Sequence, residues 1–308
     1  MKENIAAYIY FAGWRIVRWL PERTAYTLAY LVADFVTKRN GKKISRLRSN
    51  LRRTQPSMTE LDLDLLVIDA MRSYMRYWCD TFRFPDWSPE RVRETVTVTN
   101  EHLLLDAITA KTGVIVSLPH AGNWDHAGAY FCAKGIHLVT VVEHLKPEKL
   151  FLKFLGYRQA MGMEVLPLDG RVLGTLAQRL RQGALVALIA DRDLSRSGIN
   201  VNFFGGPSRM PPGPALLALK TGALLITAFV SYTETGIHID FNEVSIPASG
   251  SDEAKVSQIT QSMAQQFENG ISAHPQDWHM LQRIWTDGDF VSALDVTSLF
   301  KNRNCLSL

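Results

Sequence analysis

The sequence predicts an α/β fold: a largely parallel central sheet flanked by helices, with an N-terminal amphipathic helical extension. Three observations lead there. From about residue 93, short β-rich runs alternate with helical stretches, the pattern of a parallel sheet with crossover helices. The runs GVIVSLPH (113–120) and ALVALIAD (184–191) are apolar along most of their length, as strands covered on both faces are. The first 55 residues show helical spacing and none of that alternation.

Taken in order, residues 5–20 read as an amphipathic helix. Ile5, Ile9, Trp14, Ile16 and Trp19 sit beside Arg15 and Arg18, a composition suited to a headgroup boundary or to core packing. Pro21 breaks it, and a second apolar helix runs from about Ala25 to Val36. Residues 37–55 carry eight Lys or Arg and no acid; next to an apolar pair of helices this run suits a solvated face or an anionic membrane. Residues 58–83 are helical by spacing, and Pro85 and Pro89 end that stretch. Strands are expected at VRETVTVTN (92–100), GVIVSLPH, HLVTVVE (137–143), MEVLPL (163–168), ALVALIAD, VNFF (201–204), LLITAFVSY (224–232) and GIHIDFNEV (236–244). Helices are expected at 101–111, 123–134, 147–161, 171–182 and 252–273. The turn around Glu234–Gly236 joins the last two strands closely enough for an antiparallel addition.

Composition narrows the function classes. The chain has 308 residues, 46% hydrophobic and 21% charged, values of an ordinary globular protein and not of a disordered or polytopic membrane chain. Net charge is +4 and the pI is about 8.9, which suits anionic partners. Charged residues interrupt the N-terminal apolar stretch, so a spanning helix is disfavoured, and no signal-peptide cleavage site stands out. The basic run has no interleaved aromatics and no nucleic-acid-binding signature, so nucleic acid is not an expected partner. Cys79, Cys132 and Cys305 are widely spaced with no CxxC pair, which argues against a disulfide framework or structural zinc and for a reducing compartment.

The chemistry concentrates in SLPHAGNWDHAGAY, residues 117–130. His120 directly follows a strand, at the carboxyl end where parallel sheets gather their sites. Asp125 follows across a turn containing Gly122 and Asn123. From the start of the next helix its carboxylate is expected to reach one imidazole nitrogen, fix the tautomer and raise the basicity of the other. Such a pair is a base and not a nucleophile; the hydroxyl it activates must come from a substrate. Backbone N–H groups at the helix start suit the resulting oxyanion. A metal site built from His120, Asp125 and His126, with His137 and His144 nearby in sequence, is a weaker reading, because no like-kind ligand set completes it. No GxSxG occurs, so a nucleophile elbow is absent.

HAGNWD resembles the HxxxxD/E block of the bacterial lysophospholipid and lipid A acyltransferase superfamily. IADRDLSRSGINVNFFGGPSRMPPGP (189–214), HPQDWHMLQRIW (274–285) and LRSNLRR (47–53) are similar to three further blocks of that superfamily. The wording of ADRDL, FFGGPSRMPPGPALLALKTGA and HPQDWHMLQ resembles the actinobacterial phosphatidylinositol mannoside acyltransferases. The resemblance spans nearly the whole chain. It implies one acyltransferase domain over 1–308, with 1–55 a membrane-associating helical segment and 90–285 the catalytic core. It implies acyl-CoA as co-substrate with no further cofactor and no metal, an anionic glycolipid acceptor acylated on a mannose hydroxyl, and a peripheral place on the cytoplasmic face of the inner membrane. It assigns His120 as base and Asp125 as its charge partner, and places Glu143, Arg158, Asp191, Arg192, Asn200 and Arg209 around the substrate headgroups. Relatives often carry an acid where Asn200 stands, and an apolar residue where His126 stands. Phe203, Phe204, Met210 and Pro211–Pro212 serve either as an acyl channel or as core. A different lipid acceptor, a thioesterase that activates water with the same base, and a non-enzymatic lipid-binding protein are the competing functions.

Overall fold

The computed structural model describes residues 12–142, 148–193, 195 and 197–288. Its centre is β2 (Val114–Leu118), every residue of which is buried. The strand pairs in parallel with β5 (Leu185–Ile189) on one side and β8 (Leu224–Tyr232) on the other. Beyond β5 lie β3 (Leu138–Val142) and β4 (Glu164–Pro167); beyond β8 lie β9 (Ile237–Glu243) and β1 (Val96–Thr99). The order is therefore β1-β9-β8-β2-β5-β3-β4. Within this sheet only β8 and β9 run antiparallel, as the short turn between them requires.

Side chains alternate across β2. Val114, Val116 and Leu118 join the layer of α5 (Glu101–Thr109), α6 (Trp124–Ala133) and α7 (Glu148–Ala160). Ile115 joins the opposite layer, built from α8 (Val172–Arg181), α9 (Gly213–Thr221) and α10 (Asp252–Ala273). Both faces being covered is why β2 and β5 read as continuous apolar runs.

The N-terminal part is helical from residue 12 to 19, then α1 (Glu22–Lys38), α2 (Lys42–Thr54) and α3 (Glu60–Arg83). Ala25, Ala29 and Ala33 recur every four residues, and these small side chains let α1 lie close against α3. On α2, Ile44, Leu47 and Leu51 pack on Leu63, Leu66 and Val67 of α3, so the basic run is one face of a docked helix. Thr59 caps α3 by accepting from the Asp62 N–H.

Three local expectations are corrected. The strand expected over 92–100 is limited to Val96–Thr99, because α4 (Pro89–Glu94) precedes it. The Ser88 Oγ accepts from the Arg91 N–H at 3.2 Å and Pro89 opens the helix, a start signal that outweighs the β-branched composition downstream. A hairpin of β6 (Ile199–Phe203) and β7 (Gly206–Met210) stands outside the main sheet, and β7 has no counterpart in the sequence reading. The helix α9 begins behind Pro212 and has no counterpart among the helices expected from the sequence, because proline stands at its start. Phe203 and Met210 are fully buried among Trp278, Trp285 and the α10 layer, so they are core and not channel wall.

Candidate active site

The register of β2 and β5 builds the site. Leu118 lies opposite Ile189. Two residues beyond each of these partners stand His120 and Asp191, which brings them face to face at the carboxyl edge of the sheet. The Nδ1 of His120 lies 2.7 Å from the Asp191 Oδ1, and the His120 backbone N–H donates to Oδ2 at 3.0 Å. The indole N–H of Trp278 donates to the same Oδ2, also at 3.0 Å. Asp191 is 0% exposed, whereas the His120 side chain is 42% exposed. The imidazole thus turns one nitrogen to a buried carboxylate and remains open to solvent.

Both groups titrate away from their ordinary values. Partial burial pulls the His120 pKa down, but the Asp191 charge and hydrogen bond outweigh it and the net direction is up; the Arg192 charge opposes this. Burial alone would raise Asp191, and the His120 interaction overcomes it, holding the carboxyl below the usual range.

The expected partner, Asp125, is engaged elsewhere. Its Oδ1 accepts from Arg158 Nε at 2.7 Å, and its Oδ2 accepts from Arg158 Nη2 at 3.2 Å and from the Tyr77 hydroxyl at 2.9 Å. No hydrogen bond joins Asp125 to His120 among the described residues. The reason is geometric: Asp125 lies in the first turn of α6, on the side toward α7 and α3, whereas Asp191 arrives on the neighbouring strand. Tyr77 stacks on Trp124 at 4.3 Å between centroids, and Trp124 meets the His120 ring edge-on at 5.7 Å.

The turn from His120 into α6 is fixed by Gly122. Its φ is +55°, and a Cβ there would stand 2.4 Å from the Val230 carbonyl oxygen, so only glycine fits. Asn123 caps α6 by accepting from the His126 N–H at 3.0 Å. A late segment clamps this turn: Gly122 N–H donates to the Asp277 carbonyl, and His279 N–H to the His120 carbonyl, both at 2.8 Å. Ser73 Oγ donates to the Asp277 carboxylate at 2.7 Å and sits 2.9 Å from His279 Nε2. Burial pushes His279 down to about 3, so it is a neutral group beside His120.

The remaining expected residues fall into separate places. Arg158 is the Asp125 partner. Arg192 is near enough to His120 to affect its titration, and its Nε donates to the Arg283 carbonyl at 2.9 Å. Asn200 is exposed on the β6–β7 hairpin, and its Oδ1 accepts from Arg209 Nε at 2.9 Å. Asn200 therefore makes no bond to His120, and the acid that supports the imidazole is Asp191. Glu143 and His144 lie outside the described residues. His126 is buried beneath Phe84 and Trp87, and burial holds it at about 4. Among the described residues no cluster of three His, Cys, Asp or Glu could hold a metal. Sequence reading missed Tyr77, Trp124, Asp277, Trp278 and His279 as individual site residues, although HPQDWHMLQ had marked the last three as a block.

A slender apolar cavity lies between α6 and the sheet, beside this site. Trp124, Asp125 and Arg158 line it together with Leu118, Gly128 and Phe131. Leu185, Ala187 and Ile189 share its wall, so it follows β5 for about 13 Å at the usual rise per strand residue.

The profile of the family described as bacterial lipid A biosynthesis acyltransferase matches residues 1–287. A phosphatidylinositol mannoside acyltransferase of Mycolicibacterium smegmatis is 38% identical over 279 residues, covering 90% of each chain. A protein of the same name from Mycobacterium tuberculosis is 39% identical over 281 residues, covering 90% of this chain and 87% of its own. With the family match spanning the helical extension, the His120 turn and the Trp278 segment alike, and relatives of 38–39% identity covering nine-tenths of the chain, the chain belongs to the bacterial lipid A biosynthesis acyltransferase family and is an O-acyltransferase.

Proposed function

We propose that the chain moves a long-chain fatty acyl group from acyl-CoA to a mannose hydroxyl of phosphatidylinositol mannoside, at the cytoplasmic face of the cell membrane. The observation that carries the chemistry is the His120–Asp191 bond, and Trp124, whose ring meets His120 edge-on, lines the apolar cavity next to it. Asp191, accepting on both oxygens, keeps the proton on Nδ1 and leaves the Nε2 lone pair free. The acceptor hydroxyl gives its proton to Nε2 as its oxygen attacks the thioester carbonyl. The tetrahedral oxyanion collapses, the C–S bond breaks, and the imidazolium returns the proton to the leaving thiolate. Backbone N–H groups of the α6 first turn serve the oxyanion. No cofactor enters this sequence.

The acyl chain lies in the cavity along α6 and β5. Arg192 and Arg209 have no carboxylate partner among the described residues, and they suit the phosphates of the donor or acceptor. The outer face of α1 is the membrane contact. Leu28, Leu31, Val32, Phe35 and Val36 are exposed at helical spacing, and the exposed Lys38, Arg39, Lys42 and Lys43 follow, a pairing suited to anionic lipid. No helix among the described residues is long and apolar enough to cross a membrane.

The names of the relatives and the basic apolar α1–α2 surface support this acceptor over a soluble one. The test is transfer of radiolabelled palmitoyl groups from the CoA thioester to phosphatidylinositol mannoside in vesicles, with His120→Ala and Asp191→Asn in parallel. Labelled glycolipid with wild type alone supports the proposal. Labelled free fatty acid, with no lipid product, would make the chain a thioesterase. A label on lipid A precursors or lysophospholipid only would replace the acceptor.

A further inference from the structure

Trp278 stands out among the groups around His120 because its contact is polar, buried and absent from the acyl-transfer steps. Its side chain is 0% exposed, and it packs edge-on against Phe203 and Trp285 with centroids 6.0 and 6.2 Å away. Its backbone forms an isolated antiparallel bridge with Ala121, the residue after His120. A buried indole N–H normally takes an acceptor, and the neighbouring Trp285 uses the Phe203 backbone carbonyl, but that of Trp278 is aimed at the charged Asp191 Oδ2 at 3.0 Å.

We propose that Trp278 is a positioning residue that fixes both the orientation and the ionisation of Asp191, resting on the reading of His120 as general base. Two donors from separate segments, the His120 backbone N–H and the Trp278 indole, converge on Oδ2. They prevent rotation of the carboxylate and leave Oδ1 for Nδ1. An indole N–H donates only and never accepts. A proton placed on Oδ2 would therefore meet two donor hydrogens, so the neutral carboxyl is excluded at that oxygen. With Asp191 held as an anion, His120 carries its proton on Nδ1 and presents Nε2 to the substrate. Trp278 thus acts on the reaction through Asp191 without touching substrate.

Trp278→Phe keeps most of the packing and deletes the donor. The loss leaves Asp191 less stabilised as an anion and its charge less spread, which strengthens its hold on the imidazolium. The expected result is a kcat lowered about tenfold, the order of one hydrogen bond to a charged group. The KM for palmitoyl-CoA stays within about twofold, and the acid limb of the kcat/KM–pH profile moves up by roughly half to one pH unit. Should the variant fold poorly, a benzothienyl alanine at 278, which replaces the N–H by sulfur at nearly the same shape, gives the same readings without loss of packing. Phe203→Leu is the packing control, expected to lower the melting temperature and leave the acid limb in place. An unmoved limb and unchanged kcat at position 278, with His120→Gln inactive, would overturn the proposal and leave Trp278 as core. A fully active His120→Gln would overturn the general-base reading itself, and this proposal with it.

Discussion

His120 Nδ1 and Asp191 Oδ1, 2.7 Å apart, are joined by strand register and not by sequence proximity: 71 positions separate them. Their pairing defines the first prediction. Asp191→Asn should lower kcat by about 10³-fold, because an amide cannot stabilise the imidazolium formed during transfer. The acid limb of kcat/KM should also move. His120 must be neutral to act as base, and Asp191 raises its pKa, so the wild-type limb should lie above the ordinary imidazole value of about 6.5. In the variant it should fall toward or below that value. A pH–rate profile of both proteins checks this.

Asp125 tests a different kind of role. It is 2% exposed and held bidentately by Arg158. Arg158→Ala should cost about 3–5 kcal/mol of stability by leaving that carboxylate buried without its cation. Arg158→Ala with Asp125→Asn together should cost clearly less than the sum of the two single changes. Denaturant titration of the four proteins gives the coupling directly.

Gly128 bears on acyl length. A Cβ there would stand 2.5 Å from the Met163 Cε, and both residues line the cavity. The methionine tip is flexible, so Gly128→Ala should fold and narrow the cavity. Preference among acyl-CoA donors should shift to chains shorter by a few carbons, with kcat/KM for palmitoyl-CoA down about tenfold, on the scale of a lost methylene or two. Competition between donors of graded length reads the shift.

Asp80 sets a pH dependence of stability away from the reaction. It accepts from Tyr26 at 2.5 Å, lies near Arg76 and Asn123, and burial pushes it up to about 6. A folded-state pKa raised above the unfolded one contributes stability at low pH that is lost as pH rises through about 6. Between pH 4 and 7.5, wild type should therefore lose on the order of 1–3 kcal/mol relative to Asp80→Asn. Unfolding free energies of the two proteins across that range test the sign.

Phe35 lies on the exposed face of α1, at 58% exposure, with the Arg39 guanidinium over its ring. Phe35→Glu with Leu31→Glu should weaken binding to anionic vesicles by tenfold or more and leave the melting temperature within about 2 °C, since neither side chain supports the core. Vesicle co-sedimentation beside a thermal melt separates the two effects.

The sheet was legible because β2 and β5 are apolar runs, and His120 was legible because it follows one of them immediately. Its partner was not. Asp125 is near in sequence and Asp191 is near in space, and only the Leu118–Ile189 register distinguishes them. The Ser88–Pro89 start of α4 was present in the sequence, but the β-branched residues after it carried more weight than a single cap. The helix α9 hid behind Pro211, Pro212 and Pro214, since proline marks loops and helix starts alike. The clamp from Asp277 to His279 could not be read residue by residue, because its bonds to the His120 turn run mainly through backbone atoms, which side-chain identity does not report.

The clamp also orders events during synthesis. The Asn50 amide donates to the carbonyls of Met280 and Gln282 at 2.7 and 3.0 Å, so α2 holds a strip made more than two hundred residues later. A growing chain can dock α1–α3 and pair β2 with β5 while residues 277–285 are still inside the ribosome. In that interval Asp191 lacks one donor and the His120 turn lacks its brace. Contacts of such long range close late in folding as well as late in translation. A stalled or truncated nascent chain would therefore carry the α1–α2 face proposed to meet lipid before the His120–Asp191 pair is braced, and the proposed base would be complete only with residues 277–285 in place.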